Sequence, residues 1–360
     1  MKLFVLILSF FPLLIYSQDQ NKDNFVLLYN YGNILPHENE LNKYSSKKLT
    51  SIELKYYIFT KNKAYWEKKY NYPFFGFGYN YDNLNKIHFL GNAHSLFSFV
   101  SFPVLNSKYF DFRYDLSLGL GYLTKKYDEK NNIENKYIGS YLNVYLDTGF
   151  TLDLKATQYL HFITGAKVRH YSNGRFKLPN KGINLFYMNW GLRVFFTGKS
   201  KEAKINTHTK KYAYKVDENI VSFGFGSSND DIKDVNNYYK FSIIYNRNRI
   251  FADKYIIGMG VDYIYDPTAI RKINYKSGYK FLYKSLIGIT AITGLKFGNT
   301  SLITNIGYYA LKKGGTESPL YSRLGFNYTI NKNIIAKIQL KAYFFRAEYI
   351  EFGIGYRWHN

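Results

Sequence analysis

The sequence predicts an all-β protein, an antiparallel outer-membrane β-barrel, and three observations carry that expectation. Segment after segment alternates polar with apolar residues. Aromatic residues are abundant, with 39 Tyr and 30 Phe. Beyond the N-terminus, no run approaches the ~18 consecutive apolar residues that a membrane helix needs. Short alternating segments rich in aromatics are how a membrane barrel reads in sequence. About sixteen candidate strands can be counted, about eight on either side of Gly198. They fit one barrel of about 14–16 strands or, alternatively, two barrel units of about eight strands each.

The chain opens "MKLFVLILSFFPLLIYSQDQ". A lysine precedes an apolar run, and Ile15 and Ser17 suit the positions before a cleavage at Gln18, so residues 1–17 read as a Sec signal peptide. Export through it leads to the outer membrane of a Gram-negative cell. The chain has no cysteine, which excludes disulfides and a lipid-bearing N-terminal cysteine. Residues 18–198 form the first barrel half, 199–211 a lysine-rich connector, and 212–360 a second barrel half.

Strand side chains alternate between two faces, so each segment splits into two sets. From Phe110, the set Phe110, Phe112, Tyr114, Leu116, Leu118 and Leu120 opposes Asp111, Arg113, Asp115, Ser117 and Gly119. In 139–154, Leu142, Val144, Leu146, Thr148, Phe150, Leu152 and Leu154 oppose Tyr141, Asn143, Tyr145, Asp147, Gly149, Thr151 and Asp153. These runs exceed the usual soluble strand and match the about 9–11 residues of a tilted membrane strand. At the C-terminus, Ile350, Phe352, Ile354, Tyr356 and Trp358 share one face, a terminal strand closing on aromatics. The two halves share a strand–turn–strand layout that fits a divergent duplication.

The net charge is +23, from 49 Lys+Arg and 26 Asp+Glu. It suits an anionic partner such as the phosphates of lipopolysaccharide, and equally the Lys, Asn, Tyr and Ile richness of an AT-rich genome. Nucleic acid is excluded as a partner by export.

The stretch "RHYSNGRFKLPN" (169–180) is the chemical signal. In the strand leading to it, Leu160, Phe162, Thr164, Ala166, Val168, His170 and Ser172 fall on the outward, apolar face. The returning strand puts Asn184, Phe186, Met188, Trp190, Leu192, Val194 and Phe196 on the same face. His170, Ser172 and Asn184 therefore gather at one rim of the lipid-facing surface. Polar groups are at home on a barrel rim, so a structural role fits. A catalytic role fits as well: a neutral imidazole takes the proton of a serine hydroxyl attacking a carbonyl, and a third group orients the ring. Backbone N–H groups of the turn at Asn173 and Gly174, with Asn180, suit an oxyanion. A site open sideways to lipid suits an acyl ester already in the membrane.

"HYSNGRFKLPNKGIN" resembles the signature of the outer-membrane lipid A 3-O-deacylases, also labelled acyloxyacyl hydrolases, in which a His-x-Ser-Asn motif precedes a Pro-Asn-x-Gly-Ile loop. The segments 70–100 and 119–128 resemble its longer, exported members, and the likeness covers roughly residues 20–198. The resemblance implies Ser172 as nucleophile, His170 as base, supporting roles for Asn173 and Asn180, lipid A or lipopolysaccharide as substrate, and no cofactor. One departure stands out: the family's well-known enterobacterial members carry a glutamate twelve residues after the serine, where this chain has Asn184. A non-catalytic barrel (pore, adhesin or scaffold) and an acyltransferase are the rival readings.

The other candidates read as structural. His94 and Ser95 point to opposite faces. His37, His88, His161, His208 and His359 show no metal-ligand spacing. Trp190 suits an interfacial girdle. In the second half, Ala342 and Phe344 stand where the first half has its motif hairpin, with no His-x-Ser.

Overall fold

The computed structural model describes residues 23–59, 65–196, 215–234, 236–270, 279–314, 318–343 and 346–359. The expected signal peptide 1–17, the connector 199–211, His208 and Phe344 lie outside them.

All the principal elements are strands. The first half contains β1 (Asn24–Ile34), β2 (Leu49–Phe59), β3 (Phe74–Asn83), β4 (Asn92–Asn106), β5 (Phe110–Leu123), β6 (Leu142–Lys155), β7 (Leu160–Ser172) and β8 (Ile183–Phe195). The second contains β9 (Lys215–Ser228), β10 (Tyr238–Phe251), β11 (Tyr255–Tyr265), β12 (Ser285–Phe297), β13 (Thr300–Lys312), β14 (Leu320–Thr329), β15 (Ile334–Tyr343) and β16 (Arg346–His359). Every neighbouring pair is antiparallel. β8 pairs back onto β1, with Asn24 opposite Phe195 and Ile34 opposite Leu185. β16 likewise pairs onto β9.

The sixteen strands therefore close as two separate eight-strand barrels, the second of the two arrangements the sequence allows, and not as one barrel of 14–16 strands. Pairing β8 with β1 satisfies the edge that a single large barrel would have offered to β9. Alternation alone could not decide this, because inward and outward residues alternate in a barrel of any size.

An eight-strand barrel has room inside only for side chains, and here those chains are polar. In the first barrel Arg169 is fully buried. Its Nε donates to Asp147 Oδ2 at 2.9 Å, its Nη1 to Asp82 Oδ1 at 2.5 Å and its Nη2 to Glu53 Oε2 at 2.8 Å. Lys167 and Lys55 also reach Glu53, each at 2.8 Å. Nearer the other end, Arg193 pairs with Asp153 at 3.0 Å and lies 4.1 Å over the Tyr57 ring. The second barrel is filled in the same way. Arg323 pairs with Asp262, Lys341 with Glu348, and Lys240 bridges Asp266 (2.8 Å) and Glu348 (3.2 Å). The large lumen that a pore reading needs has no counterpart in interiors packed with arginine, lysine and tyrosine.

The outward rows are apolar, as alternation predicts. Leu27, Leu54, Phe77, Leu96, Leu120, Phe150, Phe162 and Leu192 are all exposed. At one end of the first barrel two of the three connections are tight, 107–109 and 156–159, with the longer 60–73 beside them, and at the other end all four are long, 35–48, 84–91, 124–141 and 173–182. By the usual polarity of membrane barrels the long ones are extracellular. They cover their end of the barrel with a buried apolar cluster that includes Leu41, Leu84, Ile87, Phe89, Leu90, Tyr137 and Ile138.

Replacing Arg169 by methionine leaves Glu53, Asp82 and Asp147 buried with a partner removed. Unfolding by urea in detergent micelles is expected to show a loss of about 3–5 kcal/mol.

Candidate functional site

The site lies on the outward face of the first barrel at its long-loop end. Along β7 the residues alternate strictly. Arg169 and Tyr171 point inward and are fully buried, while His170 and Ser172 face outward and are half-buried. Tyr171 holds its part of the strand from inside: its hydroxyl donates to Asp82 Oδ2 at 2.5 Å and lies 2.8 Å from Ser95 Oγ. The side chains of His170 and Ser172 thus project from a strand fixed by its inward neighbours on either side of His170.

Register brings the third residue in. His170 lies directly opposite Asn184 of β8, and Ser172 opposite Val144 of β6. His170 Nε2 is 2.9 Å from Ser172 Oγ, and His170 Nδ1 is 2.6 Å from Asn184 Oδ1. The three residues that the sequence placed on one rim therefore form one hydrogen-bonded row. With the Asn184 oxygen toward Nδ1, that nitrogen carries the ring proton. Nε2 keeps its lone pair for the serine hydroxyl, the tautomer a general base needs.

Gly182 is what lets β8 start so close to the histidine. Its φ of +71° lies in the left-handed region that side chains avoid, and a Cβ there would sit 2.7 Å from His170 Cε1 and 2.9 Å from the Tyr171 carbonyl oxygen. Its N–H donates to the Tyr137 carbonyl at 3.0 Å. The Gly-Ile step of the motif is thus a packing requirement of the imidazole.

The residues expected at the oxyanion follow Ser172 in the chain. Asn173 donates its backbone N–H to Asn180 Oδ1 at 2.8 Å and its Nδ2 to the Lys177 carbonyl at 2.8 Å. Gly174 and Arg175 both take positive φ, +62° and +68°, which turns the chain sharply after the serine. Asn180 therefore acts on the turn by holding Asn173. The Gly174 N–H has no protein acceptor among the described residues.

The sequence reading set one site residue aside. His37, on the connection after β1, lies against Asn184: its Nδ1 is 3.3 Å from Asn184 Nδ2, and its Nε2 is 3.1 Å from the Lys181 carbonyl oxygen. It is 147 positions from Asn184 in the chain, and only the barrel closure of β1 onto β8 brings the two together. The Tyr137 ring stands edge-on to it at 6.4 Å. Burial, with Glu40 and Glu38 nearby, pushes the Tyr137 phenol up to about 12, so it remains neutral there.

The remaining histidines are elsewhere. His94 faces outward and bonds Tyr79 at 2.8 Å, whereas Ser95 faces the interior. His88 pairs with Glu134 at 2.9 Å in exposed loops, His161 packs inside against Phe195 at 4.8 Å, and His359 ends β16. No cluster of His, Cys, Asp or Glu suited to a metal ion occurs among the described residues. Trp190 is on the outward face of β8, six residues from Asn184 and opposite Tyr29.

Comparison with known proteins places both halves. Residues 52–193 match the family model described as lipid A 3-O-deacylase (PagL), and residues 214–360 match the one described as acyloxyacyl hydrolase, C-terminal domain. No curated protein matches the chain. Among solved structures, the outer membrane enzyme PagL is 16% identical, with 48% of this chain and 99% of that one covered and a TM-score of 0.33. Neisserial surface protein A is 11% identical, with coverage of 48% and 97% and a TM-score of 0.35. The toluene transporter TodX of P. putida is 10% identical, with coverage of 95% and 91% and a TM-score of 0.19.

Replacing Asn180 by alanine removes the acceptor of the Asn173 N–H. Hydrogen exchange at the Asn173 amide is expected to quicken by about fivefold or more, the equivalent of one hydrogen bond, while the β7 amides keep their protection.

Proposed function

The chain belongs to the lipid A 3-O-deacylase family, and on that premise we propose that it hydrolyses an ester-linked acyl chain of lipid A in the outer membrane by serine catalysis. Ser172 is the nucleophile, His170 the general base and acid, and Asn184 the group that orients the imidazole. The observation that carries this reading is the unbroken row Ser172 Oγ, His170 Nε2, His170 Nδ1, Asn184 Oδ1, with separations of 2.9 and 2.6 Å.

The chemistry follows from the row. As Ser172 Oγ attacks the ester carbonyl, its proton passes to His170 Nε2. The tetrahedral intermediate expels the sugar oxygen, which takes that proton back from His170. Water then attacks the acyl-serine with His170 again as base, releasing a fatty acid and restoring the serine. The oxyanion is assigned to the turn after Ser172: the Gly174 N–H is the available backbone donor, and Asn173 and Asn180 hold the turn that presents it.

The outward placement accounts for the substrate. An acyl chain in the outer leaflet lies alongside Val168, Ala166, Phe186 and Met188, which continue the outward rows below His170 and Asn184. The ester of such a chain sits near the headgroups, level with the rim. The second half carries no His-x-Ser in its sequence, and Ala342 occupies the comparable position.

The test is mass spectrometry of lipid A from cells producing the wild type, Ser172→Ala or His170→Ala. The wild type is expected to remove one acyl chain and release it as free fatty acid. Both variants are expected to fall by at least about a thousandfold while the barrel stays folded. Unaltered lipid A in all three would sink the reading in favour of a non-catalytic barrel. Transfer of the chain to an acceptor other than water would replace hydrolysis with acyl transfer.

A further inference from the structure

We propose that His37 sets the direction of the hydrogen-bonded row and is the positioning residue that allows an amide to stand at 184. The proposal rests on the reading of Ser172 and His170 as nucleophile and base.

A carboxylate at this position accepts through either oxygen, so it needs nothing to tell it which way to face. An amide has one accepting end and one donating end. With Oδ1 toward His170, Nδ1 of the ring holds the proton and Nε2 can receive the serine's. Rotated by half a turn, Asn184 Nδ2 would donate to Nδ1. The ring proton would then sit on Nε2, which could accept nothing from Ser172. The two orientations fill the same space, and only one of them supports a general base.

What distinguishes them is the group on the far side of the amide. His37 Nε2 lies 3.1 Å from the carbonyl oxygen of Lys181. A carbonyl only accepts, so this nitrogen carries the proton of the neutral ring. His37 Nδ1 is then a lone pair, and it faces Asn184 Nδ2 at 3.3 Å. Only the donating end of the amide can satisfy it, which turns Oδ1 to His170 at 2.6 Å. Each bond fixes the next: the Lys181 carbonyl sets His37, His37 sets Asn184, Asn184 sets His170, and His170 accepts from Ser172. The Tyr137 ring edge-on at 6.4 Å limits where the His37 ring can lie.

The experiment is a double-mutant cycle on the full-length protein in detergent micelles, following fatty acid release from lipopolysaccharide. The variants are His37→Leu, His37→Gln, Asn184→Asp, the pair His37→Leu/Asn184→Asp, and Ser172→Ala, each checked for heat-dependent gel mobility as a folded barrel. His37→Leu is expected to lower kcat by about fivefold to tenfold with KM within about twofold. His37→Gln, whose Oε1 can accept from Asn184, is expected to recover at least half of that loss. In the Asn184→Asp background, adding His37→Leu is expected to change kcat by less than about twofold, because a carboxylate has no orientation to choose. Wild-type kcat in His37→Leu, or the same loss in both backgrounds, overturns the proposal while an inactive Ser172→Ala leaves the nucleophile reading standing. Full activity in Ser172→Ala, or none in the wild type, overturns both.

Discussion

The site depends on the anchoring of one strand end. On β7, Arg169 and Tyr171 face the interior while His170 and Ser172 face outward, and the inner pair is tied to Glu53, Asp82, Asp147 and Ser95. A side chain exposed to lipid has few neighbours to hold it in place. Its position is then set by its backbone, and that backbone is set by whatever the alternate residues grip. The charged interior of the first barrel is in this sense the support of a site on its outside. A loop could not hold the histidine and serine as firmly.

That arrangement also explains why the interior is so highly charged. In a bilayer the outer rows must be apolar, so the hydrophobic contribution to a conventional core is missing from them. Inside an eight-strand barrel, a guanidinium such as that of Arg169 gives each of its three nitrogens a carboxylate acceptor while filling a volume that water would otherwise enter. Breaking such a cluster is far more damaging than its net worth suggests, because the partners stay behind, buried. The second barrel likewise buries a guanidinium among carboxylates, Arg323 with Asp262 and Glu351.

Much of this was legible in the sequence, for a physical reason: alternation is a local property. Assigning His170, Ser172 and Asn184 to one face and one rim needs only the period of the strand and the length of the hairpin. Closure is not local. Whether β8 pairs with β1 or passes on to a larger barrel leaves the polarity pattern unchanged, and the clue lay in bulk, since Arg169, Tyr145, Tyr187 and Arg193 all point inward and would fill a small lumen. His37 was illegible for the same reason. It follows β1 in an irregular connection with no periodicity, and it reaches Asn184 only once β1 has closed on β8. A histidine three residues past the end of the strand that seals the barrel was the available signal, and it has meaning only when the seal is known.

The amide at 184 can then be seen as a choice suited to the rim. A carboxylate there would stabilise the imidazolium directly, but at the edge of the apolar surface it must be kept solvated or paired, and an unpaired charge facing lipid is costly. Asn184 has no such requirement. It gives up the charge and keeps the geometry, with a hydrogen bond roughly half as strong as one to an ion, and it stabilises the charged ring less. What the amide loses is the symmetry that makes a carboxylate indifferent to rotation. Supplying the missing direction takes one acceptor on the far side, and the barrel seam delivers it from a residue distant in the chain. The row at the rim thus runs from the Lys181 carbonyl through His37, Asn184 and His170 to Ser172 with no carboxylate in it.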